Sequence, residues 1–192
     1  MKTNRSSDLN RSFPRGFTLI EMLVVMGIIG LLMGLLFPTI GAVRHAANKA
    51  RAEQEIKSIE TAILNYLTDY GKFPLQTDGN QDRAYIDDQY IRLIQTLRAD
   101  PAFTDLNLWN PRRAVYIELA EQAVVAGRLK DPWGNDYRVA GDLDFNKQVD
   151  SSVMNGYGTL SNRQVAAWSF GRDGLSGADA GHRKDDVISW AP

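Results

Sequence analysis

The stretch GFTLIEMLVVMGIIGLLMGLLFP, residues 16–38, decides the fold of this chain. Between Leu19 and Phe37 it contains a single ionisable residue, Glu21. As an α-helix with a rise of about 1.5 Å per residue, this run is roughly 28 Å long, which is enough to cross the hydrocarbon core of a membrane. A carboxylate inside such a segment is costly and usually serves a function. The stretch therefore predicts a membrane anchor, residues 19–37, with a functional residue near one end.

The residues in front of the anchor are polar and basic. Residues 1–16 contain four Lys or Arg side chains and one acid. Positive charge before an apolar segment keeps that end in the cytoplasm and directs the rest across the membrane. A secretory signal would have its small-residue cleavage site behind the apolar run, and the small residues after Phe37 leave that reading open. An uncleaved signal anchor fits the hydropathy equally well, but neither alternative accounts for Glu21.

The helical pattern continues beyond Pro38 with a different character. Apolar residues recur every three or four positions as far as Tyr70, and charged side chains occupy the positions between them. This spacing predicts a helix with one buried and one exposed face. We expect Pro38 to kink or locally open the helix and Gly71 to end it. The sequence thus predicts one long helix over residues 17–71, apolar in its first half and amphipathic in its second.

Residues 72–192 are sufficient for one small globular domain. Apolar periodicity from Tyr85 to Leu97 predicts a short amphipathic helix, and residues 114–119 are read as a further extended segment. Three strands are predicted, at residues 136–140, 164–170 and 187–190. A long helix followed by mostly β segments predicts an α+β fold in which the helix packs on a small antiparallel sheet.

Composition excludes several classes of function. The net charge of −1 and the scattered Lys and Arg residues provide no basic patch, so we expect no nucleic-acid partner. The chain has no cysteine, which excludes disulfides and thiolate chemistry. The two histidines, His45 and His182, are far apart in sequence, and the G-x-S-x-G motif does not occur. No catalytic triad is therefore predicted, and we expect a protein that is not an enzyme.

The segment from Gly16 to Glu21, GFTLIE, followed by the apolar run, resembles the class III signal of type IV pilins and type II secretion pseudopilins. In that family the prepilin peptidase cuts after the glycine and methylates the new amino terminus. The resemblance implies a leader at residues 1–16, cleavage between Gly16 and Phe17, and N-methylation of Phe17. In the family the glutamate at the position of Glu21 is thought to contact the amino terminus of a neighbouring subunit during filament assembly.

Physical chemistry leaves the partner of Glu21 open. Cleavage before Phe17 creates an α-amine about one helical turn from the carboxylate, and such an amine is largely cationic at neutral pH. Pairing reduces the cost of burying the carboxylate. The partner is the amine of the same chain or that of a neighbour, or else the side chain extends to the lipid headgroups.

Two stretches of the globular part resemble the major pseudopilin of type II secretion. Residues 130–137, KDPWGNDY, are similar to the family's DPWGNPY signature, with Asp136 where proline is usual. Residues 169–177 and 185–190 are similar to its C-terminal loop, which binds calcium in the family. The resemblance implies Asp173 together with Asp185 or Asp186 as side-chain ligands, and oxygen ligands suit this cation. The alternative is a solvated acidic loop without a metal, and the positive residues at 182–184 should weaken its affinity for a cation.

A second acidic segment, residues 142–150, alternates acids and amides like the first nine positions of an EF-hand loop. Lys147 stands where such a loop needs glycine, and Val153 where it needs a bidentate glutamate. We therefore favour a polar β-turn for this segment. Which of the two acidic segments binds calcium stays open from the sequence.

The resemblance implies a structural subunit of a type II secretion pseudopilus, polymerised into a filament that drives protein export. The implied partners are further copies of the chain, minor pseudopilins, the prepilin peptidase and an inner-membrane assembly platform. The implied location is the inner membrane, crossed once, with the C-terminal domain in the periplasm and later in a periplasm-spanning filament. Residues 75–129 add little to the resemblance and exceed what a compact major pseudopilin needs. A type IV pilin of a surface or DNA-uptake pilus is therefore the alternative.

Overall fold

The computed structural model describes residues 16–77, 81–177 and 181–190, so the predicted leader lies outside the described residues except for Gly16. Contacts divide the chain into two compact units, residues 1–44 and residues 45–192. The helix α1 (Leu19–Tyr70), 52 residues long, contributes to both units. Its bounds agree with the prediction to within two residues at each end.

Of the two outcomes expected at Pro38, a kink or a local opening, the opening is absent, because α1 continues through this residue as one helix. Proline removes one backbone donor, and the turns on either side keep theirs. The helix ends as expected at Gly71, whose N–H donates to the carbonyl of Leu67 at 2.8 Å. Gly71 has a φ of 65°, the left-handed conformation that commonly follows a helix and that glycine adopts without strain.

In the first unit, the apolar half of α1 is exposed on all sides. The large apolar side chains from Leu19 to Phe37 are between 41% and 83% exposed. By length and composition, α1 is able to cross a membrane. Because water does not favour a helix that is apolar all round, this half of α1 requires lipid or other protein chains around it.

The described part of the second unit contains two further helices and eight short strands. The helices are α2 (Asp87–Leu97) and α3 (Leu106–Trp109). The strands are β1 (Arg83–Tyr85), β2 (Val124–Val125), β3 (Arg128–Leu129), β4 (Arg138–Gly141), β5 (Gln148–Val149), β6 (Leu160–Ser161), β7 (Val165–Ser169) and β8 (Val187–Ile188).

Four of these strands form an antiparallel sheet in the order β1-β4-β7-β8, and β2-β3 and β5-β6 form separate two-stranded pairs. The three predicted strands correspond to β4, β7 and β8. Tyr85, which was predicted to start a helix, instead ends β1 and pairs with Val139. Residues 114–119 contain no strand; the N–H groups of Tyr116 and Ile117 donate to the carbonyl of Leu97. The α+β prediction is otherwise confirmed.

The second half of α1 packs on one face of this sheet. Its buried residues recur every three or four positions and share a core with side chains of β4 and β7; they are Ala52, Ile56, Ile59, Ala62, Ile63 and Tyr66. Two polar contacts fix the helix against the strands. Tyr137 donates to Glu55 at 2.5 Å, and Arg163 lies 3.3 Å from Glu60.

The opposite face of the sheet is covered by the segment that follows β5. Ala140, Ala166 and Trp168 pack there against Met154 and Tyr157. All five residues of β7 are consequently buried, because the strand is covered on both faces. This second core positions the C-terminal loop described below.

Candidate processing site and C-terminal acidic loop

Glu21 lies in the first turn of α1 and interacts with Thr18 in both directions. Its Oε2 accepts the Thr18 N–H at 2.8 Å and the Thr18 hydroxyl at 2.7 Å. The N–H of Glu21 in turn donates to the Thr18 hydroxyl at 3.3 Å. This reciprocal pattern is a capping box, which satisfies N–H groups that a helix start leaves without partners. Glu21 therefore caps the first turn of this helix together with Thr18.

Thr18 is a capping residue that was not predicted. Its signal was visible, because T-x-x-E directly before an apolar run is the sequence signature of a capping box. Gly16 and Phe17 immediately precede the helix, and both are exposed. The bond predicted to be cut is therefore outside α1.

The two stretches that resemble the major pseudopilin meet in the structure. Asp131 is buried and accepts the N–H groups of Trp133 and Asn135, at 3.0 and 2.7 Å, which closes the turn before β4. Its other oxygen accepts the hydroxyl of Ser169 at 2.6 Å. Asn135 then donates its side-chain amide to the carbonyl of Gly171 at 2.8 Å. The turn at residues 131–135 thus supports the start of the C-terminal loop.

Asp136, the departure from the family signature, has a partner of its own. Its carboxylate forms salt bridges with Arg128 at 2.6 Å and with Lys130 at 2.7 Å. Although burial acts to raise the pKa of Asp136, these two cations hold it below its ordinary value. At the position where the family usually has proline, this chain has an acid that is paired with Arg128 of β3 and with Lys130.

The C-terminal loop brings the three predicted acids together. Carboxylate oxygens of Asp173, Asp185 and Asp186 all lie within 4.8 Å of one another. The resemblance implied Asp173 together with Asp185 or Asp186 as side-chain ligands. In the structure both precede β8, in a turn, and both carboxylates face the same cluster.

Each acid of this cluster also interacts with the protein. Asp185 accepts the backbone N–H groups of Arg172 and Asp173 at 2.8 and 3.0 Å. Asp173 accepts the N–H of Leu175 at 2.8 Å and pairs with the His182 ring at 2.9 Å. The Leu175 N–H, followed by His182, lowers the pKa of Asp173.

Asp186 is partly buried, and its two carboxylate oxygens have different surroundings. One oxygen accepts the Tyr157 hydroxyl, and the other, Oδ1, is buried without a hydrogen-bond partner among the described residues. Burial raises the pKa of Asp186. A buried acceptor without a donor is costly, and a cation next to it would remove that cost.

The glycines of the loop permit this close approach. A Cβ on Gly171 would lie 2.2 Å from the Asp185 carbonyl oxygen, and a Cβ on Gly177 would lie 2.5 Å from Oδ2 of Asp186. Carboxylate oxygens and nearby carbonyls are the ligands that calcium prefers. With the orphaned oxygen of Asp186, these residues fit a hard cation.

A second acidic cluster consists of Asp82, Asp142 and Asp144, whose oxygens also lie within 4.8 Å of one another. Burial, followed by the neighbouring Asp144, raises the pKa of Asp142 to about 6. Asp142 accepts the N–H groups of Asn146 and Lys147 at 3.1 and 2.8 Å. Lys147 has a φ of 65°, the left-handed conformation, at the position where an EF-hand loop needs glycine. The segment is thus a polar turn closed by its own N–H groups.

The amino-terminal sequence matches a known motif. Residues 11–37 match the family described as the prokaryotic N-terminal methylation motif. This match includes Gly16, Phe17 and the capping box, and it assigns the chain to the class of proteins that carry this amino-terminal motif.

Longer matches identify the family within that class. Type II secretion system core protein G of Klebsiella michiganensis is 26% identical over 182 residues, which is 95% of this chain and 96% of that protein. The protein of the same name from Pectobacterium carotovorum subsp. carotovorum is 34% identical over 108 residues, 50% of this chain and 67% of that protein. The chain belongs to the family of type II secretion system core protein G, the major pseudopilins.

A more distant relative is the competence protein ComGC of Halalkalibacterium halodurans, 28% identical over 72 residues. This similarity covers 38% of the chain and 71% of that protein. No solved structure matches the chain.

Proposed function

We propose that this chain is the structural subunit of a type II secretion pseudopilus, processed by prepilin peptidase and polymerised into a filament that drives protein export. The observation that carries the proposal is the similarity to core protein G over 95% of the chain. The methylation motif and the exposed apolar half of α1 support it. Since its relatives are pseudopilins, we propose no catalytic role.

The exposed half of α1 suggests how one subunit serves two environments. In the inner membrane, lipid covers the apolar side chains from Leu19 to Phe37, and the second unit lies in the periplasm. In the filament, the same side chains pack against α1 of neighbouring copies. The partners we propose are those copies, minor pseudopilins, the prepilin peptidase and an inner-membrane assembly platform.

The alternative, a pilin of a surface or DNA-uptake pilus, is less well supported. The competence protein aligns with 38% of the chain, whereas relatives named core protein G align with as much as 95%. We therefore favour export over DNA uptake.

Mass spectrometry of the chain purified from its native membranes tests the processing step. We expect a mature protein that begins at Phe17 and carries one methyl group on its amine. Gly16→Leu should block cleavage, and the leader should stay attached. Gly27→Leu is the matched control, because both glycines have open surroundings and Gly27 lies within the anchor. A wild-type chain that begins at Met1 would contradict the proposal.

We further propose that Asp173, Asp185 and Asp186 bind calcium. The support is their convergence, the orphaned Oδ1 of Asp186 and the close approach that Gly171 and Gly177 allow. A divalent cation there would offset the repulsion among three carboxylates. The chain has no cysteine and therefore no disulfide. A bound cation would hold residues 173 and 185–186 together instead.

Calorimetric titration with calcium and thermal melting of the full chain in detergent test this site. At a concentration of 100 times Kd, calcium should stabilise the domain by about 2.7 kcal/mol, a rise in Tm of roughly 5–10 °C. Asp173→Asn should abolish both the heat and the shift. Asp144→Asn, the same substitution in the other acidic cluster, should preserve them. Absence of heat in the wild type would refute calcium binding, and loss of heat in Asp144→Asn alone would move the site to residues 142–150.

A further inference from the structure

Arg183 is an exposed residue of the C-terminal loop whose side chain contacts two backbone carbonyls. It lies in a short 3-10 turn, His182–Lys184, just before the two adjacent acids. Its Nε donates to the Gly177 carbonyl at 2.5 Å, and its Nη2 donates to the Gly156 carbonyl at 2.9 Å. One side chain thus links the C-terminal loop to a turn that is 27 residues away in sequence.

The turn at residues 155–157 is tied to the same loop by two more contacts. Tyr157 donates its hydroxyl to Asp186, and the Ser176 hydroxyl donates to the Asn155 carbonyl at 2.6 Å. The guanidinium of Arg183 lies 5.2 Å from the centre of the Tyr157 ring, a distance at which a cation is attracted to the ring face. Arg183 and Tyr157 therefore form one connected group with Asp186.

Aromatic packing attaches the turn at residues 155–157 to the sheet. The Tyr157 ring packs edge-on against Trp168 of β7 at 5.9 Å and against Trp190, after β8, at 5.1 Å. Both partners belong to the core on the second face of the sheet. A loop attached to Tyr157 is consequently attached to the sheet.

The guanidinium of Arg183 supplies a positive charge that attracts backbone carbonyls, as a bound cation would. A metal ion in such a loop draws backbone carbonyls and carboxylates around one positive charge. Arg183 already draws two carbonyls and stands beside the acid-bound Tyr157. Residues 171–188 contain four acids and three permanently charged cations, so most of the acidic charge is balanced within the segment.

We propose that Arg183 is an internal cation that holds the C-terminal loop closed on the turn at residues 155–157, so that the loop keeps its fold without calcium. Calcium then adds stability to a loop that is already formed. The added stability from calcium depends on the cation site proposed above, whereas closure of the loop by Arg183 does not. The guanidinium is suited to this task because its planar fork donates to two carbonyls at once.

The test compares melting of the full chain in detergent, with EDTA and with excess calcium. The four tryptophans all lie between residues 109 and 190, so their fluorescence follows the second unit. Arg183→Gln removes the charge and keeps a polar side chain. We expect it to lower Tm in EDTA by about 5 °C relative to the wild type. Calcium should restore more of the Tm in this variant than it adds to the wild type.

Arg172→Gln is the matched control, since Arg172 is an exposed cation of the same loop whose backbone N–H makes its contact with Asp185. It should melt like the wild type in EDTA. Hydrogen exchange should increase across residues 171–188 in Arg183→Gln and stay unchanged in Arg172→Gln. Equal Tm values for the two variants in EDTA, or equal exchange across the loop, would overturn the proposal.

Two further outcomes separate this inference from the calcium site. If calcium shifts no Tm in any of the proteins, the cation proposal fails, while the comparison in EDTA still decides the role of Arg183. If Arg183→Gln does not fold, Arg183→Lys replaces it. Lysine keeps the charge but lacks the planar guanidinium that donates to two carbonyls at once. We therefore expect hydrogen exchange across residues 171–188 to be faster in Arg183→Lys than in Arg172→Gln, but slower than in an unfolded loop. If Arg183→Lys showed the hydrogen exchange of the wild type across the loop, the proposed role of Arg183 would be overturned.

Discussion

Glu21→Ala is expected to abolish filament formation and protein export while leaving membrane insertion and leader cleavage intact. The substitution removes the single ionisable side chain between Leu19 and Phe37, so the segment becomes more apolar and inserts at least as well. What is lost is the carboxylate that we propose meets the positive amine of Phe17 on an adjoining subunit. An ionic group left without its partner in an apolar interface costs about 3–5 kcal/mol, so subunit addition should weaken roughly 100-fold or more.

The measurements are the exported protein in the medium and sheared filaments counted by electron microscopy, in a strain lacking its own core protein G. Two variants separate charge from helix capping. Glu21→Gln keeps an oxygen for the Thr18 donors and removes the charge, whereas Thr18→Val keeps the charge and removes the hydroxyl of the capping box. We expect Glu21→Gln to fail like Glu21→Ala. Thr18→Val should lose about 1 kcal/mol of capping and retain some assembly. Normal export by Glu21→Ala would contradict the filament proposal itself.

The long helix was predictable because its signal is repeated over many turns. The apolar run from Leu19 to Phe37 and the periodic spacing that follows both indicate a helix, and neighbouring residues agree along its whole length. Pro38 removes a single hydrogen bond within 52 residues, and the helix continues across it. Repetition makes such a prediction insensitive to one unfavourable residue.

The short strands were harder to predict, because their stability comes from distant partners. β1 has three residues and is defined by its pairing with β4, more than fifty positions later, so Tyr85 shows no alternation that would separate it from α2. The two-residue strands β2, β3, β5 and β6 have even less local signal. β7 was predicted because it is apolar throughout, which reflects burial on both of its faces.

In the C-terminal loop, too, residues within the motif were predicted, whereas residues whose contacts depend on distant parts of the chain were not. Resemblance identified Asp173, Asp185 and Asp186, but not Tyr157 or Arg183, whose contacts depend on how the turn at residues 155–157 folds back. At residue 147 the expectation that only glycine would adopt the required conformation was wrong. The structure adopts the left-handed conformation there without glycine, and the N–H of Lys147 donates to Asp142 at 2.8 Å. A polar turn can offset that backbone cost, so the missing glycine did not decide the geometry.

Gly171→Ala is expected to be strongly destabilising, because it combines backbone strain with overlap. Gly171 has a φ of 64°, where an L-residue costs about 1 kcal/mol. Its added Cβ would lie 2.2 Å from the carbonyl oxygen of Asp185 and 2.8 Å from that residue's Oδ2. The carbonyl belongs to the backbone, so relief requires movement of the turn that carries both adjacent acids. We expect a total loss of about 3–4 kcal/mol in the free energy of unfolding.

Gly134→Ala is the matched control for this substitution. Gly134 also has a positive φ, 95°, but no atom lies within 4 Å of its added Cβ, so it reports the backbone cost alone. Denaturant unfolding of both variants should show Gly171→Ala losing at least about 2 kcal/mol more than Gly134→Ala. Calcium should not recover the difference, because displacing Asp185 also separates it from Asp173. Equal unfolding midpoints would contradict the close approach of residues 171 and 185, on which the cation site and the closed loop both depend.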